Sequence, residues 1–267
     1  MTKDEPLGRS LTTEVTVPPP LADSLAWAAD GQAHLRGLMT RMGDEAFGAR
    51  SLLEDWTRAD VLMHIARSAD TAIDLLSRLR TGEPVPSVPT RHEDGFGPGT
   101  APEHAGWTAD QVRAAVVDAS DRLADAVRKV PDDAWRRPVR TSEGVEVPAT
   151  EILWVRAREV WIHAVDLDVG ASFKDLPIPM RQVLVADVTT TLAARPGCPR
   201  VRIEEVRTGE VLEFGPGPTT PDDGAPGDLG TVRGKAHDLM AWLLGRPPGK
   251  GLRTADGDRP GTLPTWL

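Results

Sequence analysis

Apolar residues recur at helical spacing through four long segments in the first two-thirds of the chain. In the first, Leu21, Leu25, Ala28, Leu35, Leu38 and Met42 share a face, which predicts a helix from Leu21 to Met42. The second carries Val61, Ile65, Ala69, Ala72, Ile73 and Leu76 on one side. It opens with Thr57-Arg58-Ala59-Asp60, a capping box with Asp in place of the usual Glu or Gln, and Gly82 is its stop. The third opens with a regular capping box, Thr108-Ala109-Asp110-Gln111. Its stripe is Val112, Val116, Ala119, Leu123, Ala126 and Val130, and Pro131 ends it. The fourth begins near Pro148 and continues to about Leu167. Its second half is apolar nearly all the way round, which predicts burial on most sides. Four such helices predict an antiparallel bundle.

One connection departs from this plan. Glu83 to Gly106 is rich in proline and glycine and has no periodicity. A loop that long, leaving the end of the second helix, is expected to act as a lid. Beyond a boundary near Gly170 to Pro179 the pattern changes. Arg181–Ala194 reads as a helix, and Arg200–Val206 and Glu210–Phe214 as strands joined by the hairpin signal Arg207-Thr208-Gly209. Gly215–Gly230 reads as a loop and Gly234–Leu244 as a helix closed by Arg246-Pro247-Pro248. The expected fold is α+β and mainly α. A disordered leader over residues 1–20 precedes a four-helix bundle over 21–172 and a small α/β domain over 177–267.

Composition narrows the function. The chain has 267 residues, 40% hydrophobic and 27% charged, enough to bury a core. A formal net charge of −9 argues against nucleic acid or an anionic membrane as the main partner, since both call for a basic face. No apolar run is long enough to span a membrane, and the first twenty residues lack the apolar centre of a signal peptide. The expectation is a cytoplasmic monomer or weak homo-oligomer acting on small molecules. The single cysteine, Cys198, rules out a disulfide framework and a cysteine-based zinc site. It sits in Arg-Pro-Gly-Cys-Pro-Arg with nothing nearby to activate it and reads as an idle thiol.

Candidate chemistry lies in the fourth helix. Glu159 and His163 are four residues apart, on one face of an otherwise apolar segment. A buried carboxylate is costly unless it is paired or bound to metal. Two readings stay open at this point. Glu159 and His163 are two metal ligands, or Glu159 pairs with Arg156 one turn earlier and His163 is a satisfied core histidine. His64, mid-way along the second helix and adjoining its apolar stripe, favours the metal, because facing helices of a bundle deliver inward ligands to a shared ion. A His2Glu set leaves a position open, as in catalytic zinc sites, although it also suits iron or nickel. Asp166, one turn beyond His163, is a candidate to orient a ligand imidazole. His34, His92, His104 and His237 read as surface or core residues. If one of them is a ligand, it is His104 or His92, folding over from the long loop.

Four stretches together resemble the mycothiol-dependent maleylpyruvate isomerase family, which joins a DinB-like metal-binding four-helix bundle to a sterol-carrier-type domain. They are Trp56 to Arg67, Arg158 to Leu167, Gly234 to Arg246, and the terminal Leu263 to Leu267. The resemblance implies zinc held by His64, Glu159 and His163, and mycothiol as thiol cofactor or cosubstrate. It also implies an arginine that meets the substrate carboxylates, which by its place in the motif is Arg246. A guanidinium can grip a carboxylate with two parallel bonds, although a cation there also complements the end of a helix. One departure stands out. The family has a charged segment with tyrosine and arginine after the second helix, and this chain has no tyrosine at all.

The implied chemistry is a metal-activated thiolate attacking an electrophile. In the isomerase version it adds to the cis double bond of maleylpyruvate, the resulting single bond rotates, and expulsion of the thiol leaves fumarylpyruvate. In the S-transferase version the thiol stays on another electrophile. A third expectation is a metal-stabilised bundle that binds a partner without catalysis.

Overall fold

The computed structural model describes residues 18–89, 104–216, 228–247 and 251–266. These fall into two compact units, 18–172 and 173–266. Most of the expected leader over 1–20, His92 and most of the expected lid lie outside the described residues.

The first unit is built on four helices, α1 (Leu21–Arg41), α2 (Arg58–Thr81), α3 (Ala109–Arg128) and α4 (Glu151–Asp166). Both capping boxes form. Asp60 accepts from the Thr57 amide at 2.7 Å and Gln111 from the Thr108 amide at 2.8 Å, so each fixes the start of its helix. Gly82 ends α2 with φ of 77°, a left-handed turn that glycine adopts without strain. The apolar stripes meet as the periodicity predicts, with α2 against α3 and α4, and α1 against α4. Leu35, Leu38, Leu62, Ile65, Ile152 and Leu153 are among the residues sealed in this core.

Helix α4 is the axis of the unit. Every residue in it is buried except Glu159, which is partly so. Helix α1 approaches it closely at Gly31, where a Cβ would stand 2.8 Å from the Trp161 indole nitrogen. That nitrogen donates to the Trp27 carbonyl at 2.8 Å. The far end of α4 is tied to the start of α2. Arg58 donates to the carbonyls of Leu167 at 2.6 Å and Asp168 at 3.0 Å, and the Leu52 amide donates to Asp166 O at 2.8 Å.

Two features correct the sequence reading here. The fourth helix starts at Glu151 rather than Pro148, because Pro148 closes a short hairpin of β1 (Pro138–Arg140) and β2 (Glu146–Pro148). Each strand has three residues and buries one valine, too little for a period-two signal. The opening of the long loop also packs down. The Val88 amide donates to Arg140 O at 2.7 Å and Val88 O accepts from the Ser142 amide at 2.9 Å, so Val88 is buried against β1.

The second unit holds α5 (Ile178–Ala193), β3 (Arg200–Glu205), β4 (Val211–Phe214), β5 (Asp228–Gly234), α6 (Ala236–Leu243) and β6 (Arg253–Thr254). The strand order is β4-β3-β5-β6, with β3 parallel to β5 and the other neighbours antiparallel. The expected β3–β4 hairpin is present, its turn fixed by Glu205, whose carboxylate accepts the Arg207 and Thr208 amides. Helix α5 begins three residues ahead of the expected Arg181, since Pro179 is tolerated in a first turn that has no amide partner to lose. Asp228–Gly234 was expected to be loop leading into helix and is a strand. Its glycines hide the pattern, and what makes it a strand is pairing with β3 around the wholly buried Val232. Cys198 is buried, and burial pushes its thiol above the ordinary range, in keeping with an idle role.

Candidate metal centre

His64, Glu159 and His163 come together inside the first unit. One ligand atom from each lies within 4.8 Å of the others. The His64 Nε2 is 2.8 Å from Glu159 Oε2, and the His163 Nε2 is 3.3 Å from the same oxygen. The two imidazoles stand edge to face, with ring centres 4.8 Å apart. Their arrangement follows from local rules. The four-residue spacing puts Glu159 and His163 on one face of α4. The α2–α4 contact and the Arg58 tie then set the height of His64 against them.

The surroundings tune each group. His64 and His163 are 4% and 1% exposed, so the cluster is shielded from water on the histidine side. Asp166 is wholly buried, and its Oδ2 lies 2.9 Å from His163 Nδ1. A carboxylate only accepts, so this bond places a proton on Nδ1 and aims Nε2 at Glu159. Burial would raise the Glu159 pKa, yet the bonds from His163 and His64 outweigh it and hold the carboxyl well below its usual range. For His163 burial acts downward, and the bonds to Asp166 and Glu159 win, raising it to about 9. Trp56, the residue before the α2 cap, sets its ring edge-on to His64 at 5.6 Å.

Without metal, the two Nε2 protons bridge the imidazoles to a single carboxylate oxygen. A divalent cation could take the place of such protons, and two neutral imidazoles and one anionic carboxylate would then be its donor set. That set matches zinc with a position left over. The pre-aimed donors fit a divalent ion such as the zinc that the family resemblance implies.

Of the two readings of Glu159, geometry removes the pairing with Arg156. Arg156 does not pair with it. The guanidinium donates instead to Ile65 O at 2.7 Å, Ser68 Oγ at 3.3 Å and Gln32 Oε1 at 3.1 Å. The reason is direction, since Arg156 leaves α4 toward α1 and α2. A pocket of about 30 Å³ opens beside the cluster, lined by His64 and Glu159 together with Ser68, Val88, Ile152 and Arg156. Sequence reasoning missed Ser68, Val88 and Trp56. Only the one-turn offset of Ser68 from His64 could have pointed to it.

The other histidines divide as follows. His104 is buried and bonds Asp60 Oδ1 at 3.0 Å, one turn before His64, and is not part of the cluster. His34 stacks on Trp161 with ring centres 5.2 Å apart. His237 and Arg246 belong to the second unit. Arg246 follows α6, is partly exposed and donates through Nη1 to Leu244 O at 2.7 Å.

Among known proteins, the family model described as "Mycothiol maleylpyruvate isomerase N-terminal domain" matches residues 28–168, the span that holds all three cluster residues. A crystal structure of the mycothiol-dependent maleylpyruvate isomerase is similar over 93% of this chain and 98% of its own, at 29% identity and a TM-score of 0.76. A structure of a histidine-to-alanine mutant of the mycothiol-dependent maleylpyruvate isomerase is similar over the same spans, at 28% identity and a TM-score of 0.76. No curated protein matches the chain.

Proposed function

The chain belongs to the mycothiol maleylpyruvate isomerase family, and from that premise we propose that it is a zinc-dependent enzyme converting maleylpyruvate to fumarylpyruvate with mycothiol as its thiol. The observation that carries this reading is the meeting of one ligand atom each from His64, Glu159 and His163 within 4.8 Å in the matched span.

His64, Glu159 and His163 would hold the ion. When bound, it supplies a Lewis acid that favours the thiolate form of a small-molecule thiol near neutral pH. The remaining work falls to the chain. Asp166 orients His163 so that its Nε2 points at the site, and burial of both imidazoles keeps competing water from that side. Ile152 and Val88 close the pocket with apolar surface, which strengthens charge interactions inside it. By the family resemblance, Arg246 would contact a substrate carboxylate. The protein needs no cysteine of its own, in agreement with a buried Cys198 whose thiol is held protonated.

Metal analysis of the wild type beside Glu159→Ala and His64→Ala tests the centre. The expected result is bound zinc in the wild type and its loss from both variants. Unchanged zinc in both would remove the reading. Turnover of maleylpyruvate with mycothiol present and not consumed tests the reaction, and one thiol consumed per product would make the protein an S-transferase instead.

A further inference from the structure

Arg156 is 3% exposed, yet its three hydrogen bonds all go to neutral acceptors on α1 and α2. Among the described residues no carboxylate lies within ion-pair distance of it. A buried cation without a counter-ion is costly. Burial indeed pushes this guanidinium down to about 10, against the upward pull of the more distant Glu159 and Asp70 charges. Two of its bonds leave from Nη1 and one from Nη2, so they engage at most three protons. At least two of the five guanidinium protons therefore remain, and a guanidinium can grip the two oxygens of a carboxylate with parallel bonds. The same side chain lines the pocket of about 30 Å³ beside His64 and Glu159. That volume accepts one small group rather than a whole dicarboxylic acid.

We propose that Arg156 binds one carboxylate of the substrate, so that the pocket has a metal-ligand end at His64 and Glu159 and an anion-binding end at Arg156. This deepens the function proposed above and rests on it for the substrate class, a small unsaturated carboxylic acid. It adds a carboxylate contact within the bundle, separate from Arg246. Ser68, whose hydroxyl accepts from Nη1, acts as a positioning residue for the guanidinium.

Calorimetric titration with maleate tests the proposal. It is run on metal-free and zinc-loaded full-length protein, for the wild type, Arg156→Lys and Arg156→Met, with the neutral diamide of maleic acid as control. The wild type is expected to bind maleate in both forms and the diamide in neither. Arg156→Met is expected to lose maleate binding. Arg156→Lys, which keeps the charge but loses the planar fork, is expected to bind about tenfold more weakly. Zinc content and thermal midpoint show which variants are folded, and the lysine variant decides if the methionine variant is not. Maleate affinity within about twofold of the wild type in either folded variant overturns the proposal, as does equal binding of the diamide or no binding by the wild type. Arg156-dependent maleate binding in a protein that fails to isomerise maleylpyruvate would leave this site standing and remove the activity proposed above.

Discussion

The His163 Nδ1 lies 2.9 Å from Asp166 Oδ2, three residues further along α4, and both side chains are sealed from water. This bond sets which imidazole nitrogen faces His64 and Glu159. Asp166→Asn keeps the shape of the side chain and removes its charge. Zinc affinity is expected to fall by about 10–100-fold with the fold retained. Competition against a chromophoric chelator measures it, and an unchanged affinity would show that Asp166 has no part in orienting the ligand.

The stability of the metal-free protein should depend on pH in a defined way. His163 has its folded pKa raised from 6.5 to about 9, so its contribution is complete below 6.5 and is lost as pH rises through 9. Glu159 has its folded pKa lowered from 4.5, so its contribution is present above 4.5 and is lost as pH falls through the folded value. The cluster therefore stabilises the metal-free fold most between 4.5 and 6.5. Zinc binding runs the other way, because it displaces the His163 proton, and affinity should climb with pH up to about 9. Thermal midpoints of chelated protein across this range, beside zinc titrations at the same pH values, check both slopes.

Arg58 joins the start of α2 to the end of α4 through the Leu167 and Asp168 carbonyls. Arg58→Met is expected to cost about 1 kcal/mol of stability by removing the bond to the part-buried Leu167 carbonyl. It should also weaken zinc, because His64 and His163 stand on the two helices it ties. Chemical denaturation and zinc titration of the same variant separate the two effects.

Gly31 admits the Trp161 indole where any side chain would collide with it. Gly31→Ala is expected to force α1 away from α4 at a cost of about 1–3 kcal/mol. The indole has little freedom to yield, because its nitrogen is bonded to Trp27 O. A thermal midpoint equal to the wild type would show that α1 shifts freely.

The sequence by itself determined the four bundle helices, both capping boxes and the β3–β4 hairpin. These depend on interactions between residues within a few positions of one another, and helical periodicity and turn chemistry report such interactions directly. It also singled out His64, Glu159 and His163 as polar side chains in apolar surroundings. Tertiary structure decided what those side chains meet. The His64–Glu159 contact spans 95 residues, and it depends on how α2 packs on α4 rather than on either segment. For the same reason Arg156, three residues from Glu159 in the chain, turns to α1 and α2 instead. Asp228–Gly234 became a strand only because β3 lies beside it. Local patterns reveal which groups are costly to bury, and only the packed fold supplies the partners that offset the cost.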